Sequence, residues 1–375
     1  MPGIYLHIPF CKQACHYCDF HFTTSQRGRD EMLKAMLQEL QSRKEAANRQ
    51  TVDTIYFGGG TPSLLTYDEL MRFFELIYTE YNVSADAEVT MEANPDDLEM
   101  GHLKELRRTP VNRFSIGIQS FREEDLRGMN RAHTAQQAMR CVPDAADAGF
   151  ENISIDLIFG LPGLEPEHWQ DNVERAFTLP ITHLSCYGLT IEPKTALAWQ
   201  IRKGLTPLPD EEKAAAQYAW LLNEAESKGF PWYEISNFSK PGYESRHNTA
   251  YWNGIPYIGI GPSAHSYDGS MRSWNVSNNA IYVKGIEKKQ PEVESEVLNE
   301  SEKFHEVLLT SLRVRTGLSL MTIRNRYDAV VLSRLLDAAQ PFINKGWMIL
   351  EKDHLRITQQ GLLFADGITA ELFII

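Results

Sequence analysis

The chain contains 375 residues, 43% of them hydrophobic, and carries a formal net charge of −13 at pH 7. This length and apolar content predict a large globular core, with one big domain plus an appendage. The acidic charge argues against general nucleic-acid binding, because a surface that follows phosphates needs concentrated Lys and Arg. The sequence shows no secretory leader and no run of about 18 apolar residues, so we expect no stable membrane insertion and a cytoplasmic location.

Short apolar segments predict buried strands, since each is rich in β-branched or aromatic residues and is ended by Gly, Pro or a polar residue. They are residues 3–10, 54–60, 88–95, 113–120, 152–160 and 183–191. Helical patterns lie between them, and the clearest follows a capping box of Thr66 and Glu69. Its apolar face comprises Leu70, Phe73, Phe74, Ile77 and Tyr81, and a later stripe comprises Trp169, Val173, Ala176 and Phe177. These strand–helix units in series predict an α/β fold, a partial (β/α)6 barrel of the TIM type.

The C-terminal part has a different pattern, with helices followed by a short strand pair. It predicts a small α+β domain, similar to a winged helix, over residues 286–375, after a barrel domain over residues 1–285. The arginines of this part, Arg313, Arg315, Arg324 and Arg326, are interspersed with acidic residues. We therefore interpret the domain as a lid or a haem-facing module, with DNA binding as the minor alternative.

Polar residues and glycines occur at the carboxyl ends of the predicted strands, where parallel α/β folds collect their chemistry. Cysteines follow the first strand, residues 58–61 the second, Glu92 and Asn94 the third and Gln119 the fourth, and Asp156 lies near the end of the fifth. Because these ends meet on one face of the fold, we expect the residues to share one pocket.

Cys11, Cys15 and Cys18 have the spacing Cys-x3-Cys-x2-Cys. Five cysteines are too few for a disulfide framework in this chain, and three so close together suit a metal or redox site in a reducing compartment. Soft thiolates favour iron–sulfur clusters, and three of them can hold three irons of a four-iron cluster and leave the fourth iron open. A zinc site is the alternative, with His7, His16 or His21 as the fourth ligand. The remaining cysteines, Cys141 and Cys186, are predicted to be buried structural thiols.

This cysteine loop, placed after the first strand, resembles the signature of the radical S-adenosylmethionine (SAM) superfamily. The segments YLHIPFC, FGGGTPS, EANPD, SIGIQSF, NRAH and DLIFGLPG narrow the resemblance to the branch of oxygen-independent coproporphyrinogen oxidases (HemN) and HemW-type haem chaperones, over about residues 3–280. The resemblance implies a 4Fe–4S cluster whose open iron is chelated by the amino and carboxylate groups of SAM. It also implies that an electron from the reduced cluster cleaves SAM to a 5'-deoxyadenosyl radical.

The resemblance also implies roles for the residues at the strand ends. Gly58, Gly59, Gly60 and Thr61 would form a loop whose missing side chains let the backbone approach the methionine end of SAM.

Further side chains would contact other parts of SAM. Glu92 would meet the ammonium group or a ribose hydroxyl, and Arg131 would meet the carboxylate through its planar guanidinium. Gln119 and Asp156 would contact the ribose, while Tyr5 and Tyr17 would line the adenosine side.

Two features separate the members of this branch. The oxidase pattern has an additional cysteine two residues after the loop and a longer N-terminal segment, whereas this chain has Phe20 in that place and reaches Cys11 almost at once. The segment RHNTAYW, residues 246–252, resembles the His-Asn-x-x-Tyr-Trp motif associated with HemW. His247 would offer an imidazole to haem iron, and Tyr251 and Trp252 a flat apolar surface. A packed, hydrogen-bonded histidine is the alternative at this position, and His265 is a second candidate contribution.

Two functions follow from the resemblance. The first is a haem chaperone that carries a 4Fe–4S cluster and SAM and transfers haem to acceptor proteins such as respiratory cytochromes. It implies an electron donor if SAM is cleaved, and it leaves room for a homodimer. The second is an oxygen-independent coproporphyrinogen III oxidase or another radical SAM enzyme acting on a tetrapyrrole. The Phe20 departure and the RHNTAYW segment favour the first and argue against oxidase activity.

Overall fold

The computed structural model describes residues 3–47 and 50–374, and its contacts divide the chain into two compact units. The first unit comprises the chain up to Gln217 together with Ile255–Glu296, and the second comprises Tyr218–Gly254 together with the chain from Val297 onward.

The described residues form strands and helices throughout the chain. The strands are β1 (Gly3–Ile8), β2 (Val52–Gly59), β3 (Val83–Ala93), β4 (Arg113–Gln119), β5 (Asn152–Phe159), β6 (His183–Gly188), β7 (Trp232–Glu234), β8 (Asn237–Ser239), β9 (Tyr257–Ile260), β10 (His265–Tyr267), β11 (Met271–Asn275), β12 (Val293–Val297), β13 (Leu318–Ser319), β14 (Met348–Glu351) and β15 (His354–Ile357). The α-helices are α1 (Arg29–Ser42), α2 (Tyr67–Glu80), α3 (Met100–Leu106), α4 (Glu123–Gly128), α5 (Ala135–Asp147), α6 (Pro166–Thr178), α7 (Ala196–Arg202), α8 (Glu211–Ser227), α9 (Arg246–Trp252), α10 (Asn279–Glu287), α11 (Glu300–Ser311), α12 (Leu320–Arg326), α13 (Ala329–Asn344) and α14 (Ala365–Glu371).

The first unit is built on a parallel sheet in which β1 to β6 are neighbours in chain order. Each strand pairs in parallel with the next, as in Leu6 beside Phe57, and a helix crosses over between successive strands. On the other side of β1 the sheet continues with β9, which is parallel to β1, and then with the antiparallel strands β10 and β11. This architecture confirms the prediction of an α/β fold with a partial (β/α)6 barrel, and all six predicted strands are present.

The helix α2 illustrates how local sequence positions an element on this sheet. The Thr66 hydroxyl accepts the Glu69 N–H at 3.3 Å, and the Glu69 carboxylate accepts the Thr66 N–H at 2.8 Å, so the predicted capping box is confirmed. The apolar face is buried, and Phe74 meets Phe57 of β2 with ring centroids 5.3 Å apart. Such a cap contributes about 1 kcal/mol and fixes where the helix starts.

The second unit contains a winged-helix-like arrangement near the C-terminus. The order α11, β13, α12, α13 is followed by a hairpin of β14 and β15, and the three strands form an antiparallel sheet with β15 in the middle. This confirms the predicted small α+β domain.

The second unit also includes residues 218–254, which the predicted boundary at residue 285 assigns to the barrel. The reason is backbone pairing: the Ile235 N–H donates to the Arg313 carbonyl at 3.0 Å, and the Arg315 N–H donates to the Tyr233 carbonyl at 2.9 Å. The RHNTAYW segment, which forms α9, therefore packs with the C-terminal residues.

Across the residues described, every helix is too short or too polar to cross a lipid bilayer.

Candidate functional site

A cavity of about 480 Å³ lies in the first unit at the carboxyl ends of the parallel strands. Most of the residues predicted to form a site line this cavity. They are Cys11, Cys15, Tyr17, Cys18, Gly59, Gly60, Thr61, Glu92, Gln119, Arg131 and Asp156. The structure thus brings together side chains that come from five different strand ends, as expected for a parallel α/β fold.

The cysteine loop between β1 and α1 is held by contacts with the segment that follows α4. The His16 N–H donates to the Met129 carbonyl at 3.0 Å, and the Asn130 amide donates to the Ala14 carbonyl at 2.8 Å. The Gln13 side-chain amide donates to the Asn130 carbonyl at 3.0 Å. These bonds fix the loop conformation from outside the loop.

The three loop cysteines are free and partly exposed thiols. Burial raises the pKa of Cys18 to about 12 and also raises the pKa of Cys11. The thiolates are therefore disfavoured in the absence of a cation, and a coordinated metal supplies the positive charge that deprotonates them.

Two polar side chains donate to the sulfur atoms. Arg131 Nη1 donates to Cys15 Sγ at 3.3 Å, and Thr61 Oγ1 donates to Cys11 Sγ at 3.4 Å. Arg131 also donates from Nη2 to Asn94 Oδ1 at 2.6 Å and to the Gly117 carbonyl at 2.7 Å. Donors on a sulfur stabilise its thiolate, so this arrangement fits an anionic cluster on the loop.

The alternative of a closed zinc site would need a histidine nitrogen and the three thiolates around one ion. His7 donates from Nε2 to the His21 carbonyl at 2.8 Å, His16 hydrogen-bonds through Nδ1 to the Gly128 carbonyl, and His21 hydrogen-bonds through Nε2 to Asn279. Within residues 3–47 and 50–374 no group of three or more His, Cys, Asp or Glu side chains surrounds a single metal-ion position. A four-iron cluster differs because each thiolate binds its own iron. The donor set therefore fits the cluster better than one tetrahedral ion.

The glycines at the end of β2 are required by packing against β1. Gly59 has a φ of +103°, and a Cβ there would lie 2.5 Å from the His7 imidazole. A Cβ on Gly60 would lie 2.7 Å from the Phe10 carbonyl oxygen. Gly58 does not line the cavity, and a Cβ there would lie 2.9 Å from the side chains of Tyr5 and Tyr56. The glycines therefore allow the end of β2 to pack closely against β1 and the residues that follow it. The same lack of side chains would let a ligand approach the backbone.

Two partly buried carboxyl groups, Glu92 and Asp156, lie on β3 and β5. Glu92 accepts the Tyr56 hydroxyl at 2.9 Å and the Gly59 N–H at 3.0 Å, and burial raises its pKa to about 7. Asp156 accepts the Ser115 hydroxyl at 3.3 Å, and burial raises its pKa to about 6. A cationic ligand would favour the charged form of both groups, which fits the ammonium and sulfonium of SAM.

Gln119 ends β4 with a φ of 67°, where the pairing with β5 is irregular. Its Oε1 atom is buried and makes no hydrogen bond among the residues described. A buried acceptor without a partner is uncommon, and a ligand hydroxyl in the cavity would satisfy it. This orphan acceptor is an independent sign that the cavity is built for a polar ligand.

Three predicted residues lie elsewhere. Tyr5 does not line the cavity, and its hydroxyl hydrogen-bonds His7 Nδ1 at 3.2 Å. Gly58 does not line the cavity either. His247 belongs to α9 in the second unit, is only 2% exposed, and has Nε2 hydrogen-bonded with the Tyr251 hydroxyl at 2.8 Å.

Several further residues that the sequence patterns did not single out line the cavity. Tyr187 lies near the end of β6, and Thr190 and Glu192 follow the strand, so the strand-end rule that selected the other residues would have found them. Ser115 lies inside β4, and only the alternation of side chains along a strand hinted at its direction. Cys141 and Cys186 are buried away from the cavity, as predicted.

Comparison with known proteins identifies the family. The family model of the Radical SAM superfamily matches residues 5–176, and that of the HemN C-terminal domain matches residues 298–364. The chain is 36% identical over 376 residues to Heme chaperone HemW of Bacillus subtilis, an alignment that covers 98% of each chain. The chain belongs to the HemW family. HemW of Escherichia coli is similar as well, at 32% identity over 99% of this chain and 98% of its own length.

A solved structure shows the same fold as this member of the HemW family. Coproporphyrinogen III oxidase (HemN) from Escherichia coli aligns with a TM-score of 0.86 over 100% of this chain and 90% of its own chain, at 23% sequence identity. At that identity the likeness shows the fold alone. As a radical SAM protein, a HemW family member has a 4Fe–4S cluster and SAM as cofactors, and the donor set of the cavity fits both.

Proposed function

We propose that this protein is a haem-binding chaperone that transfers haem to acceptor proteins, with a 4Fe–4S cluster and SAM bound in the first unit. The observation that carries the proposal is similarity over nearly the whole chain to proteins named heme chaperone in distant bacteria. The identity is 36% for Bacillus subtilis, 34% for Mycobacterium tuberculosis and 32% for Escherichia coli.

The residue at position 20 supports this function over coproporphyrinogen oxidation. Phe20 stands where the oxidase pattern has a further cysteine, and it lines the cavity with 68% of its surface exposed. A phenyl ring offers neither a thiol nor a hydrogen-bond donor, so the chemistry of that cysteine has no substitute at this position.

The roles we propose for the cavity residues are those that the resemblance to radical SAM proteins implies, and their place in one cavity supports them. Cys11, Cys15 and Cys18 hold three irons, and the bound cluster with SAM supplies one-electron cleavage of a sulfonium. Gly59, Gly60 and Thr61 flank the methionine end of SAM, and Glu92 takes its ammonium. Arg131 faces the carboxylate, Gln119 and Asp156 the ribose, and Tyr17 the adenosine side.

For haem we propose His247 as an axial ligand, with Tyr251 and Trp252 beside the macrocycle. Because His247 Nε2 is hydrogen-bonded with the Tyr251 hydroxyl, ligation of iron through that nitrogen requires this bond to break. The acceptors we propose are haem proteins such as respiratory cytochromes, served from the cytoplasm by a homodimer, with an electron donor where SAM is cleaved. Close, unpaired thiols are consistent with a reducing compartment.

The deciding experiment compares two activities in the anaerobically reconstituted protein. Haem titration followed by absorbance should show a Soret shift, and bound haem should pass to an apo-cytochrome. Incubation with coproporphyrinogen III, SAM and a reductant should leave the substrate unchanged. Rapid formation of protoporphyrinogen IX would replace the chaperone function with the oxidase function.

A further inference from the structure

The hairpin of β10 and β11 presents an unusual group of side chains on one face. His265 pairs with Trp274 across the two strands, and Tyr267 pairs with Arg272. Because side chains alternate along a strand and cross-strand partners share a face, all four lie on the same side of the hairpin. An imidazole, an indole, a phenol and a guanidinium therefore form one compact surface.

His265 is the exposed member of this surface. Its ring stacks on Trp274, with centroids 5.6 Å apart and an angle of 23° between the planes. No hydrogen bond of its ring nitrogens occurs within the described part of the chain. Partial burial and the charge of Arg272 lower the pKa of His265, which favours the neutral imidazole that binds metals. In contrast, His247 is 2% exposed and hydrogen-bonded.

The surface cannot hold a bare metal ion, because no three His, Cys, Asp or Glu side chains among the described residues surround a single metal-ion position. A haem iron differs, since the macrocycle supplies the equatorial nitrogens and only one axial ligand must come from the protein. One exposed imidazole is therefore enough to ligate a haem iron, but it is not enough to hold a free metal ion.

The charges around His265 also suit a macrocycle that carries carboxylates. Arg272 places its guanidinium carbon 6.0 Å from the Tyr267 ring centroid. The Tyr267–Arg272 pair lies two residue pairs along the hairpin from His265, and alternate residues on a strand are about 6.8 Å apart. Glu296 is the acidic group that acts on His265. The nearby Asp268 carboxylate already accepts the backbone N–H groups of Ser270 and Met271, at 2.8 and 2.7 Å.

We propose that this face is a second haem contact, in which His265 ligates the iron of an iron porphyrin and Arg272 pairs with one of its carboxylates. The proposal rests on the proposed haem-chaperone function and adds to it a site in the first unit. Trp274 holds the plane of the imidazole by stacking. The exposed imidazole takes up haem from solvent, a step that the buried His247 cannot perform without rearrangement.

The test is haem titration of the reconstituted full-length protein and its variants, followed by difference absorbance. His265→Ala should abolish one haem-binding step or weaken it at least tenfold, and Arg272→Gln should weaken it about fivefold. His168→Ala, which removes an exposed imidazole on α6, is the matched control and should bind as wild type does. Circular dichroism and iron content should be equal in all variants.

Haem dimethyl ester separates the two contacts, because it keeps the iron and lacks the carboxylates. Arg272→Gln should cause no further loss with this ester, whereas His265→Ala should still weaken binding. Unchanged haem binding by His265→Ala overturns the inference. If His247→Ala alone loses haem, the chaperone function stands without this second contact. If wild type binds no haem, both proposals fail.

Discussion

The Arg131 guanidinium donates to the Cys15 sulfur at 3.3 Å and, through its other terminal nitrogen, to Asn94 Oδ1 at 2.6 Å. One partly buried cation thus joins the cluster loop to the residue that follows β3. We expect Arg131→Gln to lower the free energy of unfolding by about 2–3 kcal/mol, because hydrogen bonds to a charged group are lost. Denaturant unfolding measures this change. Arg140→Gln, whose side chain is 75% exposed, is the control and should change stability by less than about 0.5 kcal/mol.

Cys15→Ala should abolish the iron–sulfur absorbance, because two thiolates are too few for the cluster, whereas wild type should hold about four irons per chain. Iron and sulfide analysis after anaerobic reconstitution provides the measurement. Cys141→Ala removes a thiol outside the loop and should keep full iron content. Retention of the cluster in the Cys15 variant, with tighter zinc binding in wild type, would contradict the cluster assignment.

Asp156→Asn should weaken SAM binding by about 1.5–3 kcal/mol, since it removes a charged hydrogen-bond acceptor from the cavity while keeping its shape. Equilibrium binding of SAM, with circular dichroism as a check on the fold, measures the loss. Wild-type affinity in this variant would remove Asp156 from the site.

The raised pKa values of Glu92 and Asp156 lead us to expect that stability and SAM affinity depend on pH. Burial raises the pKa of Glu92 to about 7, so in the protein without ligand the folded state binds more protons than the unfolded state between about pH 4 and 7. Stability should therefore fall as pH rises through this range, by on the order of 3 kcal/mol for Glu92. SAM affinity should change in the opposite direction and rise with pH, because the ligand cation favours the ionised carboxylate.

Glu92→Gln provides the control for this pH dependence. The variant has no carboxyl group to titrate at position 92, so it should lose the part of the slope in stability and SAM affinity that Glu92 contributes, while Asp156, whose pKa is also raised, keeps its own part. A slope equal to that of wild type would assign the titration to other groups.

Gly59→Ala should lower the free energy of unfolding by about 2 kcal/mol or more, because the residue has a φ of +103° and its Cβ would lie 2.5 Å from the His7 ring. Gly101→Ala is the matched control, since a Cβ on this α3 residue would meet nothing within 4 Å. That substitution should stabilise the protein by about 0.5–1 kcal/mol. Equal effects of the two changes would contradict the packing described for the end of β2.

Sequence alone determined the features that depend on near neighbours. Short apolar segments ended by Gly, Pro or a polar residue predicted β1 to β6, and Thr66 with Glu69 predicted the start of α2. Both signals lie within a few consecutive residues. The spacing of Cys11, Cys15 and Cys18 likewise predicted a three-thiolate site. The rule that residues at the carboxyl ends of strands share a pocket predicted most of the cavity residues. It holds because parallel strands with crossover helices bring their carboxyl ends to one face.

Only the tertiary structure decided which side chains reach the cavity and which are covered. Tyr5 is engaged with His7, and the RHNTAYW helix groups with the C-terminal part through backbone bonds from residues distant in sequence. His247 is buried and hydrogen-bonded while His265 is exposed, a difference that neither surrounding sequence reveals. The physical reason is that burial and hydrogen-bond partners are set by contacts between distant segments, whereas a sequence pattern records only what neighbouring residues require.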